Sequence, residues 1–445
     1  MMLSATAPGL LSATEAYRAT HEIFSEYGTV GAYLKVEKAL ARAEVRAGII
    51  TPEAGSAIVD ACRIESIDLA ALRYGAARVG YPIVPLVEQL AMAAGEAGRW
   101  VHFGATTQDI MDTALVLQIQ QAAPMILSTL EQVCGALHDL ANLHRKTVMA
   151  GRSKQQHALP ITFGYKVAVW LDQLNRQRYA LWTSFEQVRV VQFGGGVGTL
   201  AALGEAGLTV RTYLASELGL ENPDITWHVS RDRFANLVHA LAMVNASLGK
   251  AALDVIHMMS TEVGELREPF ADGRGTSSTM PQKRNPVLCE AILEAARAAR
   301  EGPSRLMEVM LQDHERAIGA AYIERCAVAN GLMLAAGASE LAHEIFKDIE
   351  VNSARMSANL EITNGLMMAE SVMMLIAKKF GRQSGHQKLH RACAQVDSTG
   401  QTLKEVLLQQ EDISGPDLDM ALDPASYLGA TDDMINCVLA RTAKQ

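Results

Sequence analysis

Three polar segments, far apart in this 445-residue chain, carry residue types that bind and transform an anion. The first is VHFGATTQDIMDTA, residues 101–114. A glycine turn presents Thr106, Thr107 and Gln108, and Asp109 opens a predicted helix. Hydroxyls and free amide N–H groups at a helix start suit a carboxylate. Taken alone, the same pattern is an ordinary N-cap, and His102 beside it an ordinary structural histidine. The second segment is GRSKQQHALPITFG, residues 151–164. Arg152, Lys154, Gln155, Gln156 and His157 crowd ahead of Pro160, a density of donors that makes poor core material and good anion-binding material. The competing reading is a solvated helix end. The third is GRGTSSTMPQKRNP, residues 273–286. Glycines and small hydroxyl residues make a mobile loop. Lys283, Arg284 and Asn285 follow, and Pro286 suits the first position of the next helix. Small residues followed by cationic donors have the makings of a lid that closes on an anion.

Other patterns are weaker. QFGGGVGTL, residues 192–200, is glycine-rich but lacks the Gly-x-Gly-x-x-Gly spacing and the Lys-Ser/Thr end of a nucleotide loop. His386 and His390 sit four apart without a third ligand nearby, so no metal is expected. No Gly-x-Ser-x-Gly elbow is present.

The elements that must hold these segments are helical. The chain is 49% apolar, 20% charged and 5% aromatic, with 67 alanines and 20 methionines. That excludes global disorder and favours helices over a β-sandwich or barrel. Long stretches lack proline: 160 to 223, 223 to 269 and 303 to 416. From Phe234 the apolar residues Leu237, Val238, Leu241, Val244, Leu248, Ala251, Ala252, Val255, Met258 and Met259 keep a three-four spacing for about seven turns. Such a stripe predicts a bundle of long helices, with the methionines as core packing. We expect three helical domains, 1–105, 106–342 (with the loop 271–286) and 343–445. The net charge of -9 argues against nucleic acid as a partner. A local cluster of Lys and Arg still admits an anionic small molecule. Six scattered cysteines without a Cys-x-x-Cys pair fit a reduced, cytoplasmic setting. The N-terminus is a poor signal peptide, and no run of 18 apolar residues predicts a membrane span.

TSSTMPQKRNP, residues 276–286, resembles the Gly-Ser-Ser-x-Met-Pro-x-Lys-x-Asn-Pro loop of the fumarase/aspartase superfamily, and the order of the other two segments agrees. MSTEVGELREP from Met259, QDHER from Gln312, NLEITNGLMMAE from Asn359 and LDPASYLG from Leu422 extend the likeness over nearly the whole chain. Within the superfamily, HFGATTQD and QFGGGVGTLAALG look most like the carboxymuconate cycloisomerases, with the adenylosuccinate lyases next. The resemblance implies an all-α fold, a homotetramer whose long central helices form a twenty-helix core, and active sites each built by three subunits. It implies reversible anti elimination or addition next to a carboxylate of a small dicarboxylate or tricarboxylate, without cofactor or metal. The alternative within the superfamily is a C–N lyase that releases fumarate from adenylosuccinate or another N-substituted aspartate. Ser277 then matches the catalytic base. Ser278, Lys283 and Asn285 match groups around the aci-carboxylate that proton removal creates, and His102, Thr106, Thr107, Gln108, Arg152, Gln156 and Arg316 match substrate-binding positions. His157 matches a position of the second segment beside Gln156 and with Lys154 joins Ser277 as a catalytic candidate; Lys154 would bind an extra carboxylate, protonate the leaving group or simply be solvated. Lys154 departs from the pattern, since most of the superfamily has histidine there and the cycloisomerases tryptophan. Thr276 replaces a glycine, while Tyr81 and Ala317 replace a histidine and a serine of the adenylosuccinate lyases. Glu324-Arg325, by contrast, looks like those lyases. A non-catalytic descendant of the fold is disfavoured by the intact Ser277, Lys283 and Asn285.

Overall fold

A computed structural model describes residues 9–319, 321–409 and 415–442. The expected all-α class holds. Helices carry most of these residues, and among them the only sheets are two two-stranded ones. The elements that matter for the site are α1 (Glu26–Arg46), α2 (Thr107–Leu143), β1 (Val148–Ser153), β2 (Gln156–Thr162), α3 (Phe163–Val188), α4 (Asp232–Met259), β3 (Leu266–Arg267), α5 (Val287–Ala299), α6 (Ala321–Asp348), β4 (Glu350–Val351) and α7 (Ser353–Leu360).

The chain forms two compact units. Of the described residues, unit one takes those through Leu130, Gln177–Leu248 and Ala291–Leu341; unit two takes Glu131–Arg176, Gly249–Glu290 and those from Ala342 on. The chain passes from one to the other inside α2, α3, α4, α5 and α6.

The apolar stripe from Phe234 is α4, 28 residues long. Phe234, Leu237, Val238, Leu241, Val244, Leu248, Ala251, Ala252, Val255 and Met258 are all buried. At about 1.5–3 kcal/mol for each large side chain removed from water, this packing and not helix propensity sets the helix length. The 37-residue α2 continues through Pro124. An interior proline costs about 3 kcal/mol or more, and burial of Ala122, Ala123, Ile126 and Leu130 around it outweighs that cost. By length and composition α2 is also apolar enough to cross a membrane. It buries Asp109, Asp112, Thr113 and Gln118 against protein, however, which is how the core helix of a folded domain behaves.

The second polar segment is not a helix end. It is the hairpin β1–β2, with Arg152 opposite His157 and Ser153 opposite Gln156. Lys154 and Gln155 form its two-residue turn at φ 51° and 67°. Two successive left-handed residues make the type I′ turn that matches strand twist, normally the place of Asn-Gly. The third segment leads into α5, but Pro286 caps that helix one residue before the expected position: the first helical residue is Val287, and the Glu290 N–H donates to the Pro286 carbonyl.

Candidate active site

The first segment is built within unit one around Asp109. Its fully buried carboxylate accepts hydrogen bonds from the N–H of Thr106 (3.0 Å), Gly194 (3.0 Å) and Gly195 (2.8 Å), and lies 2.7 Å from Nε2 of His228. Asp109 thus does more than cap a helix. It ties the turn at 104–108 to the glycine-rich stretch 192–200, which supplies backbone donors to a side chain of this chain. The turn itself needs glycine: Gly104 sits at φ +70°, and a Cβ there would lie 2.6 Å from Leu203.

That turn brings together several of the expected residues. Nη1 of Arg316 donates to Oγ1 of Thr106 at 2.9 Å and to the carbonyl of Gly196 at 3.3 Å. Gln108 donates to Asp112 (3.1 Å) and to the carbonyl of His228 (2.9 Å). Thr107, Gln108 and Arg316 line a cavity of about 230 Å³ together with Tyr81, Gln312 and Arg325. Its floor is an ionic cluster that sequence reading missed. Arg231, 4% exposed at its side chain, donates to Asp112 at 2.8 and 3.0 Å and to Glu324 at 2.9 Å, with a second, shorter bond to Glu324. Burial by itself would push the Arg231 guanidinium down, and Asp112 and Glu324 more than reverse it. Burial holds Glu324 above the usual carboxylate range, against the pull of Arg231. His102 lies 2.6 Å from Glu37 of α1. Burial works against its protonation, and Glu37 and Asp109 raise it overall.

The second and third segments are built within unit two. Arg152 makes a bidentate pair with fully buried Glu265, at 2.9 and 2.7 Å, and Asn359 of α7 donates to the same carboxylate at 2.7 Å. This arginine therefore carries its own counter-ion. Across the hairpin, burial, seconded by Arg152 and opposed by Glu265, lowers His157 and so favours its neutral imidazole; its buried Nδ1 has no hydrogen-bond partner among the described residues. Lys154 and Gln156 are exposed at and beside the hairpin tip.

The loop 271–286 closes on itself. Asn285 donates its N–H to the carbonyl of Gly275 at 3.0 Å, and Thr276 bridges to Arg284. Arg284 reaches Glu350 of β4 at 3.1 Å and lies 5.0 Å from the Phe270 ring centre. Glu268 accepts from the N–H of Leu288 (3.2 Å) and Cys289 (2.7 Å), tying the loop's entry to the start of α5. Inside the loop, Oγ of Ser277 accepts from the N–H of Thr279 (3.3 Å) and Met280 (3.1 Å). Two amide donors on one hydroxyl oxygen favour its anionic form. Ser278 and Lys283 are exposed, and Asn285 is partly buried.

Asp109, Arg231, Glu37 and Glu265 were not singled out from sequence as site residues. The usable signal was a general one: a buried arginine or carboxylate needs a partner of opposite charge, but nothing in the string says which.

A family model described as lyase matches residues 12–300, and one described as the adenylosuccinate lyase C-terminus matches residues 365–438. The 3-carboxy-cis,cis-muconate cycloisomerase of Pseudomonas aeruginosa is 41% identical over 94% of this chain and 93% of its own length. Among solved structures, the fumarate lyase from Mesorhizobium sp. BNC1 is 41% identical with a TM-score of 0.89, covering 99% of this chain and 100% of that one. The 3-carboxy-cis,cis-muconate lactonizing enzyme from Pseudomonas putida is 38% identical with a TM-score of 0.92, covering 97% and 99%. With the signature loop, the helical fold and these likenesses in agreement, the chain belongs to the lyase family of the fumarase/aspartase superfamily.

Proposed function

We propose that this enzyme catalyses reversible anti addition and elimination next to a carboxylate, with lactonisation of a carboxymuconate as its reaction. The observation that carries the chemistry is Ser277, whose Oγ sits in a glycine-bounded loop and accepts two backbone N–H bonds. In the elimination direction Ser277 removes the proton on the carbon next to a carboxylate. The electron pair moves into that carboxylate, making a doubly charged aci form, and then expels the leaving oxygen from the neighbouring carbon as the double bond forms. In the lactonising direction a carboxylate oxygen adds across the double bond and Ser277 returns the proton to the adjacent carbon. Lys283, Asn285 and the loop amides are the donors for the aci-carboxylate. Thr106, Thr107, Gln108 and Arg316 hold a second carboxylate, with His102, Arg152, Gln156 and Ser278 completing the binding groups. Lys154, with neutral His157 beside it, meets the leaving group or a third carboxylate.

A C–N lyase acting on an N-substituted aspartate is the second reading. It is supported by Lys154, by Arg325 on the cavity wall and by the adenylosuccinate lyase C-terminus match. An absorbance screen for gain or loss of a conjugated double bond separates the two. The panel is carboxymuconate, adenylosuccinate, argininosuccinate, aspartate and several N-substituted aspartates, run on the parent enzyme and on Lys154→Met. We expect turnover of carboxymuconate and at least about a tenfold loss in the variant, about 1.4 kcal/mol of barrier. Turnover of the amines alone would transfer the assignment to the lyase, and an unchanged variant would remove Lys154 from the reaction.

We propose a homotetramer in which three subunits build each site. Exposed apolar side chains on the long helices, Val169, Tyr179 and Trp182 of α3 and Met243 and Leu253 of α4, support burial against other copies. Sedimentation is expected to give about four chains per particle, and a stable, active monomer would refute shared sites. Six scattered cysteines without a Cys-x-x-Cys pair support a reduced, cytoplasmic setting.

A further inference from the structure

His102 opens the turn that presents Thr106, Thr107 and Gln108, and its backbone is at φ 63°, where residues other than glycine rarely sit. Something must hold it there. Its Nδ1 lies 2.6 Å from Oε1 of Glu37, whose side chain is 1% exposed, against 16% for the imidazole. Against an ionised Glu37, which only accepts, the proton of this contact sits on Nδ1. That leaves Nε2 as the ring's other polar atom, an acceptor if the ring is neutral and a donor if it is charged.

The charged groups around Glu37 decide between these states. Seven residues along the same helix, Glu44 is buried, and burial reinforced by Glu37 pushes its carboxyl up to about 9, so it is neutral at pH 7.5. Cys62, after the helix that follows α1, is pushed up to about 12 by burial and by Glu37, with Lys38 opposing, and it too is neutral. Asp109 also favours the cationic form of His102. His102 is thus the ion-pair partner of Glu37, with neutral Glu44 and Cys62 near it.

We propose that Glu37 is a positioning residue for the reaction: through its 2.6 Å contact it holds His102 as an imidazolium whose Nε2–H is a cationic donor for the anionic substrate at the start of the first polar segment. This rests on that segment's role in substrate binding. It accounts for a buried carboxylate, far from the reacting atoms in sequence, being spent on a residue at the mouth of the turn.

The test uses the full-length enzyme labelled on histidine with carbon-13 and nitrogen-15. His102 is assigned by the signal lost in His102→Gln. In the parent, His102 is expected to be charged at pH 7.5, and a neutral ring would overturn the proposal without recourse to any further variant. In Glu37→Gln the ring is expected to be neutral at pH 7.5, with KM raised about tenfold and kcat within about twofold. Lowering the pH to 5.5 protonates the imidazole without help, so KM of the variant is expected to come within about threefold of the parent. A merely structural Glu37 would give no such recovery. An unchanged ring charge, or a KM deficit equal at both pH values, would overturn the proposal. Glu44→Gln is expected to keep parental KM and a charged His102, and loss of either would point to the cluster as a whole in place of Glu37. A charged His102 that becomes neutral in Glu37→Gln, with no turnover of any panel compound, upholds the pair and sinks the substrate assignment instead.

Discussion

Replacing Ser277 by alanine is expected to lower kcat by about 10³-fold, within the 10²–10⁴ span of a positioned general base, with KM changed little and the oligomeric state kept. Ser277 is a partly buried residue of a loop whose shape is set elsewhere: by the Gly275–Asn285 backbone bond, the Arg284–Glu350 pair and the Glu268 carboxylate on the N–H groups of Leu288 and Cys289. Removing one oxygen leaves those ties intact. It does remove the acceptor for the amides of Thr279 and Met280, which then find solvent. A serine is a weak base at its ordinary pKa, so the same two donors must stabilise the alkoxide, and they act best when the loop excludes water. Single-turnover and steady-state rates on the substrate found in the panel give the measurement. Parental kcat in Ser277→Ala would end the base assignment.

Arg231→Met is expected to produce the largest loss of stability. Arg231 is 4% exposed at its side chain and spends its N–H groups on Asp112 and Glu324, while the guanidinium lies 5.3 and 5.0 Å from the ring centres of Trp227 and Phe234. Methionine fills much of the volume but leaves two buried carboxylates facing each other. Breaking a buried pair from one side costs about 3–5 kcal/mol. The sign of the pH dependence follows from Glu324. Burial already holds it above its unfolded range even with Arg231 present, and without Arg231 it rises further. A carboxyl raised in the folded state adds stability that is full below its unfolded pKa and lost as pH rises towards its folded one. The variant's deficit is therefore expected to be larger at pH 8 than at pH 5 in thermal unfolding followed by circular dichroism. A parental midpoint at pH 8 would show that the cluster is not held by charge. Because Asp112 also accepts from Gln108, weaker substrate binding is expected alongside.

Much of this protein was legible in its sequence, for local reasons. The apolar stripe from Phe234 is a property of one helix at 3.6 residues per turn, and every large residue read onto it is buried in α4 apart from half-buried Met259. The polar segments could be picked out too, because Ser277, Lys283 and Asn285 or Thr106, Thr107 and Gln108 lie within a few residues of one another. Their residue types are uneconomical as core. What stayed hidden depends on partners that sequence distance conceals. The second segment read as a helix end or an anion cluster; pairing of Val148–Ser153 with Gln156–Thr162 makes it a hairpin and forces Lys154 and Gln155 into left-handed backbone. The glycine-rich stretch lacks the spacing of a nucleotide loop, and its residue types did not show that it brings two amides to Asp109, 85 residues away. Glu37 and His102 are 65 residues apart, Arg231 and Asp112 are 119, and Arg152 and Glu265 are 113. The residue types alone required that buried charges be matched. Only the tertiary structure decided which charges meet, because the energy of an ion pair depends on separation and burial in space.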